Sequence, residues 1–466
     1  MKILVAIANY GTKNRQYLQN LIDEYKSMSY DVDIVVLSNI SKDLGPDIEV
    51  KIGLPTRDPW SLPFGHKQLF ADRIDKYELF IYSEDDTLIT QHNIDAFLEV
   101  TPVLPDNEIA GFLRYEQDVD GSRYCSTMHA YYHWVPHSVK SIDGYTFACC
   151  TNEHSGCYVL TQEQLRKAVA SGGFLVAPHK GRYDLLCTAA TDPYTQCGFT
   201  KVICISHMND FFVHHMSNQY IGNLGLALTE MEAQIAKLLQ TETSKEKQVE
   251  LFSTQTTLNT SKWDKSYYEK CRNDVLELIP RRCKRLLSVG CGCGATEAQL
   301  MQRGVQVVGV PLDPIIAESA KTRGLHIVPP DFRRAKSALA GETFDCILFV
   351  DVLQHLPHPE ETLAEFADLL DEDGHVIAAV PNFKYMKYFC ENIRQGRVGL
   401  NASSFDKTRL HFTTPKMMTE WFRRSSLRTV TVKYNVQPRF SSLAGASFGL
   451  LSRYLAPEML FVATKS

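Results

Sequence analysis

Two stretches hold residue types whose spacing could do chemistry. The first, 286–300, reads LLSVGCGCGATEAQL: an apolar run, then Gly290, Gly292 and Gly294 at alternate positions, then a helix-like stretch. Glycines at a strand-to-helix turn let a ligand approach bare backbone, and the helix that follows offers unpaired N–H groups. Gly290-x-Gly292-x-x-Ala295 formally satisfies the dinucleotide pattern G-x-G-x-x-G/A. That pattern also asks for an acid about twenty positions on, to hold a ribose. Val310 and Pro311 stand there, which argues against a nicotinamide-linked oxidoreductase. The second stretch, 80–90, reads FIYSEDDTLIT, with Glu84, Asp85 and Asp86 in a row after an apolar run. Adjacent carboxylates repel one another, and a hard divalent cation, Mg²⁺ or Mn²⁺, would offset that repulsion. In an extended segment Glu84 and Asp86 point the same way and make the metal-facing pair. The plain alternative is a solvated acidic turn.

The elements that must position these residues follow from periodicity. A strand over 2–8, a helix over 15–28 and a strand over 32–37 form a strand–helix–strand unit. A helix over 65–74 leads to a strand over 79–82, so the acids sit at a strand end. The second half restarts the alternation. Its helices are predicted over 267–278, 297–303, 315–323 and 360–369, and its strands over 285–289, 305–310, 325–328, 344–349 and 375–380. Between the halves, a helical pattern over 227–239 gives way to TETSKEKQVELFSTQTTLNTSKW, which is poor in core residues and reads as a joint. The fold class is therefore α/β, two doubly wound Rossmann-like domains over 1–228 and 263–466 with a helical, polar linker over 229–262.

Composition bounds the rest. The chain has 466 residues, 44% hydrophobic, with a formal net charge of −5. No basic field favours nucleic acid, and no run of residues reaches the ~20 apolar positions that cross a bilayer. The opening MKILVAIANY reads as a buried strand and not a signal peptide. The thirteen scattered cysteines lack metal-site spacing and fit a reduced, cytoplasmic protein.

From YYEKCRNDVLELIP onward the second half resembles the class I S-adenosylmethionine-dependent methyltransferases. The motifs that carry the resemblance are VGCGCG (289–294), DVLQHL (351–356) with PHPEETL after it, VPN (380–382) and FDKTRLHFTTPKMMTEWF (405–422). The resemblance implies that Gly290, Gly292 and Gly294 pass beneath the methionine and ribose of the cofactor. It also implies that Asp331 meets the adenine amino group and that Phe349, Val350, Asp351 and Val352 border the sulfonium. Two expected acids are replaced, one by Ser288 and the ribose-binding one by Pro311, for which Asp313 can substitute. A hydroxyl acceptor would benefit from a base, and His355 and His411 are the candidates.

The first ~220 residues resemble a glycosyltransferase of the GT-A fold that uses a nucleotide sugar. IANYG, VLSN, FIYSEDD, EHSGCYVLTQEQL and GFTKVICISHMNDFFVHHM, in that order, carry this resemblance. It implies a nucleotide bordered by Ala8, Asn9, Tyr10, Ser38 and Asn39. It implies a divalent cation held by Glu84, Asp86 and His214 or His215, and a carboxylate base, Asp184 or else Asp192. Lys67 and Arg73 are candidates for touching phosphate. The whole is expected to be a bifunctional enzyme of glycan assembly that adds a sugar and methylates a hydroxyl. The alternative is a methyltransferase whose first half only binds glycan or nucleotide. The acceptor is expected to be a small molecule or glycan, compatible with a lipid-linked one at the inner face of a membrane.

Overall fold

Unbroken apolar runs such as Ile3–Ile7 and Leu79–Tyr82 can be satisfied only in strands buried on both faces, and such strands build the sheet centres. The computed structural model describes residues 1–127, 132–221, 225–243, 254–258, 260–396, 405–447 and 449–466. The chain divides into two compact units, Met1–Ser244 and Lys245–Ser466. The expected joint over 229–262 begins inside the helix Leu228–Thr243 of the first unit. Its residues 244–253 and 259 lie outside the described residues.

In the first unit, β1 (Lys2–Ala8), β2 (Asp31–Ser38), β3 (Ile48–Ile52), β4 (Leu79–Glu84) and β5 (Cys157–Thr161) form a sheet in the order β5-β4-β1-β2-β3. β1 to β4 are parallel, and β5 runs antiparallel to β4. The chain moves outward from β1 to β3 and then returns to the other side of β1. That reversal opens a crevice at the carboxyl ends of β1 and β4. The unit is not only a doubly wound sheet, as expected from the sequence. Its described residues also form a four-stranded and a further five-stranded sheet of short strands. In the latter, Phe212–His215 pairs with Thr87–Leu88 and sets His215 opposite Thr87.

In the second unit, the described residues form one sheet of β6 (Arg285–Cys291), β7 (Gln306–Pro311), β8 (His326–Ile327), β9 (Phe344–Val350), β10 (Leu370–Pro381), β11 (Leu427–Tyr434) and β12 (Glu458–Lys465). Their order is β8-β7-β6-β9-β10-β12-β11, and β12 is antiparallel to both its neighbours. The reversal point lies between β6 and β9, at the end of β6 that carries the glycine turn. The helix expected over 267–278 shrinks to Asn273–Leu276. Upstream of it, backbone groups bond to the glycine turn instead of to their own next turn. The Cys293 N–H donates to the Tyr267 carbonyl (2.8 Å), and the Arg272 N–H donates to Thr296 Oγ1 (3.0 Å). The apolar C-terminal stretch breaks into the short helices Ser441–Ala446 and Ser452–Leu455 and then β12. Among the described residues, no helix is long and apolar enough to cross a membrane.

Candidate functional site

In the first unit, the crevice at the ends of β1 and β4 opens into a cavity of about 480 Å³. Tyr10, Trp60, Glu84, Arg114, Asp184 and Tyr220 are among the residues that line it. The three acids have separate fates. Asp85 accepts from Asn9 Nδ2 (2.5 Å) and Asn14 Nδ2 (2.8 Å), and burial raises its pKa to about 6. Asp86 lies 3.2 Å from His215 Nε2, while His215 Nδ1 bonds Glu116 (2.6 Å). Burial opposes ionisation of both groups, but their mutual pairing wins, so Asp86 is lowered and His215 raised. Glu84 Oε1 is shielded from solvent and has no hydrogen-bond partner. Burial, with the charge of Asp86, pushes that carboxyl up to about 7.

These residues do not form a ready cation cage. Among the described residues, no three or more His, Cys, Asp or Glu side chains lie close enough together to hold a metal ion. His214, one of the two expected ligands, stacks on Tyr115 and bonds Asn218 (3.2 Å). Glu116 was missed by the sequence reading, since only the strand pairing brings it to His215. Ala8 and Tyr10 line the cavity. Asn9 is spent on Asp85, Asn39 Oδ1 accepts from the Gly11 N–H (2.7 Å), and Ser38 is buried and bonds the Ile40 N–H (3.2 Å).

Of the two expected bases, only Asp184 lies in the cavity, where it caps the helix Leu185–Thr195 by accepting from the Cys187 N–H (2.9 Å). Asp192 is fully buried and paired with Lys67, with His179 Nε2 at 3.4 Å. That pair removes both Asp192 as a base and Lys67 as a phosphate contact. Arg73 Nη2 donates to both carboxylate oxygens of Glu49 (2.8 Å each), so it too is committed elsewhere.

In the second unit, the glycine turn is closed by protein. A Cβ on Gly290 would lie 2.3 Å from Val352 Cγ2, and one on Gly292 would lie 2.2 Å from the Tyr267 carbonyl oxygen. Here the missing side chains make room for the chain's own packing. Segment 265–269 lies along the turn. Its Lys265 is fully buried and donates to the Val350 carbonyl (2.7 Å) and to Glu269 Oε2 (3.2 Å). Burial pushes Glu269 up to about 7, against the attraction of Lys265, with Glu297 and Asp351 adding repulsion. Ser288, in place of an expected acid, donates to Glu297 Oε1 (2.6 Å), and Glu297 Oε2 is buried with no partner. Glu297 thus returns a carboxylate to the position that the sequence left to serine.

Asp313 sits just past β7 and accepts from the N–H groups of Ile315 (2.7 Å) and Ile316 (3.1 Å) through Oδ1. Its Oδ2 is buried without a partner, and burial raises the carboxyl to about 6. An orphaned buried carboxylate oxygen at that strand end fits the hydroxyls of a ribose, so the residues present fit the nucleoside end of the cofactor. Asp351 adopts φ +54°, unusual for a residue with a side chain, and lies 3.2 Å from Arg272 Nη1. Arg272 also bridges Asp274 (2.7 Å) and Glu458 (2.8 Å). Phe349, Val350 and Val352 are buried around this strand end.

Two of the three remaining expectations, the bases His355 and His411, are corrected here. Asp331 caps the helix Phe332–Ala338 by accepting from the Arg334 N–H (2.8 Å). His355 is buried, and that burial lowers it to about 4, so it is a neutral core residue. His411 stacks on Phe405, and its Nε2 donates to the Leu356 carbonyl (2.9 Å). It too is lowered by burial. Neither histidine is free to act as an exposed base.

A family model described as a methyltransferase domain matches residues 263–432. The ubiquinone biosynthesis O-methyltransferase of Chromobacterium violaceum is 32% identical over 136 residues, which are 26% of this chain and 57% of that protein. Its namesake from Stutzerimonas stutzeri is 30% identical over 118 residues, 24% of this chain and 50% of that one. The chain spans about half the length of the curated relatives it matches. The crystal structure of magnesium protoporphyrin IX methyltransferase from Synechocystis PCC 6803, with bound SAH, aligns at TM-score 0.31 and 15% identity over 42% of this chain and 81% of that one. The family match falls within the second unit, on the seven-stranded sheet with its glycine turn at the reversal point. Residues 263–432 are therefore a class I S-adenosylmethionine-dependent methyltransferase domain.

Proposed function

We propose that the second unit transfers a methyl group from S-adenosylmethionine to a sugar hydroxyl, and that the first unit transfers a sugar from a nucleotide-sugar donor to the same glycan. The observation that carries the methyl-transfer reading is the partnerless Asp313 Oδ2 beside the glycine turn. When bound, the cofactor supplies an electrophilic methyl on a sulfonium. Asp313 would hold the ribose hydroxyls, and the strand end at Val350–Asp351 would align the acceptor and exclude water. Relatives named as O-methyltransferases support oxygen as the methylated atom.

In the first unit, the cavity at the reversal point supports the sugar-transfer reading. Tyr10 and Trp60 offer faces for a base or a sugar, and Arg114 and Lys13 offer positive charge for a diphosphate. Asp184, one of the carboxylates that line the cavity, is the proposed acceptor of a proton from the acceptor hydroxyl. A lipid-linked acceptor, met at a membrane surface, is supported by the helix Met386–Arg394. None of its residues is buried, and Met386, Phe389 and Ile393 are 55%, 54% and 47% exposed on one side, beside Lys387 and Arg394.

Calorimetry with S-adenosylhomocysteine tests the first reading. The wild type should give a binding heat, and Asp313→Asn should bind about tenfold or more weakly, through loss of a charge-assisted bond of about 1.5–3 kcal/mol. No heat at millimolar ligand would sink the methyl-transfer reading. A panel of nucleotide sugars with and without Mn²⁺ tests the second, and Asp184→Asn should abolish sugar transfer while leaving the calorimetric signal intact.

A further inference from the structure

Lys265 is the buried charge that neither reading uses. Its side chain is wholly shut off from solvent, and its ammonium donates to the carbonyl of Val350, the last residue of β9, and to Glu269. β9 pairs with β6, whose end carries the glycine turn, so this ammonium sits at the reversal point of the sheet. The segment that delivers it follows the turn closely. The Tyr267 carbonyl accepts from the Cys293 N–H (2.8 Å), and Cys293 Sγ lies 3.8 Å from the Glu269 carbonyl. A lysine is seldom fully buried unless paired, and here the pairing groups are the strand-end carbonyl and one carboxylate.

S-adenosylmethionine carries an α-ammonium at its amino-acid end. A cation entering this strand end needs what Lys265 already holds: a backbone carbonyl and a carboxylate. We propose that Lys265 stands in for the cofactor's α-ammonium, that Glu269 with the Val350 carbonyl is the acceptor for that ammonium, and that Lys265 withdraws when the cofactor enters. The inference rests on the methyltransferase reading of this unit. Two ammonium groups cannot share one carboxylate in a dry site without strong repulsion, so occupation is exclusive. Withdrawal needs no regular element to unfold, because residues 263–272 form neither helix nor strand. The segment is pinned upstream by the Lys265 N–H to the Thr254 carbonyl (3.3 Å) and by Tyr267 Oη to Thr254 Oγ1 (2.6 Å).

The test compares two ligands by calorimetry on the full chain. S-adenosylhomocysteine has the α-ammonium, and 5′-methylthioadenosine keeps the nucleoside and sulfur but lacks it. Lys265→Met should bind S-adenosylhomocysteine about tenfold more tightly than wild type, and Glu269→Gln about tenfold less tightly. Both variants should bind 5′-methylthioadenosine within about twofold of wild type, because that ligand has nothing to place on Glu269. Thermal unfolding runs alongside: a Lys265→Met protein that melts at or above wild type keeps its fold, as replacing a buried charge by an apolar chain often allows. A Lys265→Met protein that binds S-adenosylhomocysteine no better than wild type overturns the inference. So do variants that shift both ligands equally, which would mark the pair as purely structural. If wild type binds neither ligand, the methyltransferase reading itself falls and takes the inference with it.

Discussion

Asp313 has a carboxyl raised to about 6, because it is buried and its two backbone N–H bonds only partly offset the loss of water. The sign of the consequence differs for folding and for binding. A carboxyl whose folded value is raised adds stability that is complete below its unfolded value near 4 and is lost as pH climbs through about 6. Ribose hydroxyls prefer the ionised form, so affinity for S-adenosylhomocysteine should rise across the same interval, by up to about tenfold per pH unit below pH 6. Calorimetry at pH 5 and pH 7.5 checks this, and Asp313→Asn should flatten that part of the profile. Lys67 and Asp192 make a different kind of pair, sealed from solvent with no role in the cavity. Lys67→Met strands a buried carboxylate and should cost about 3–5 kcal/mol in urea unfolding, whereas replacing both partners with apolar residues should recover most of it.

At the scale of elements, the glycine turn and the irregular segment before it act as one piece. Gly292 leaves room for the Tyr267 carbonyl, and the 2.2 Å approach of an added Cβ cannot be absorbed by a flexible side chain, since the obstacle is backbone. Gly292→Ala should therefore lower stability by about 1–3 kcal/mol, read by denaturant midpoint, and weaken S-adenosylhomocysteine binding with it. The helix Met386–Arg394 stands apart from the helix Pro415–Arg424, which buries Met418, Trp421 and Phe422. If the acceptor is met at a membrane, the protein should co-sediment with vesicles containing phosphatidylglycerol, and Phe389→Asp with Ile393→Asp should abolish that association without moving the melting temperature.

At the scale of the whole molecule, each unit carries its own reversal point, and the proposed chemistries should separate. Replacing Glu84 and Asp86 with Ala should remove sugar transfer and leave S-adenosylhomocysteine binding within about twofold of wild type, since the units have distinct sheets. Wild type that transfers no sugar from any donor, with methyl transfer intact, would reduce the first unit to a binding module. The methyltransferase family model bears on the second unit and stops at residue 432.

Much of the strand core was legible because its physics is local. β1 was expected over 2–8 and is found there, the periodic apolar runs of β6, β7 and β9 marked their strands to within two residues, and β10 begins five residues before its expected start. The positions of the glycines, of the three acids at the end of β4 and of Asp313 were likewise written in local order. What each group does was decided by partners far away in the chain. Strand pairing brings His215 and Glu116 to Asp86, a helix face seals Asp192 onto Lys67, and segment 265–269 closes over Gly292. Burial and pairing set a charge's role, and both are properties of tertiary neighbours that no local pattern encodes.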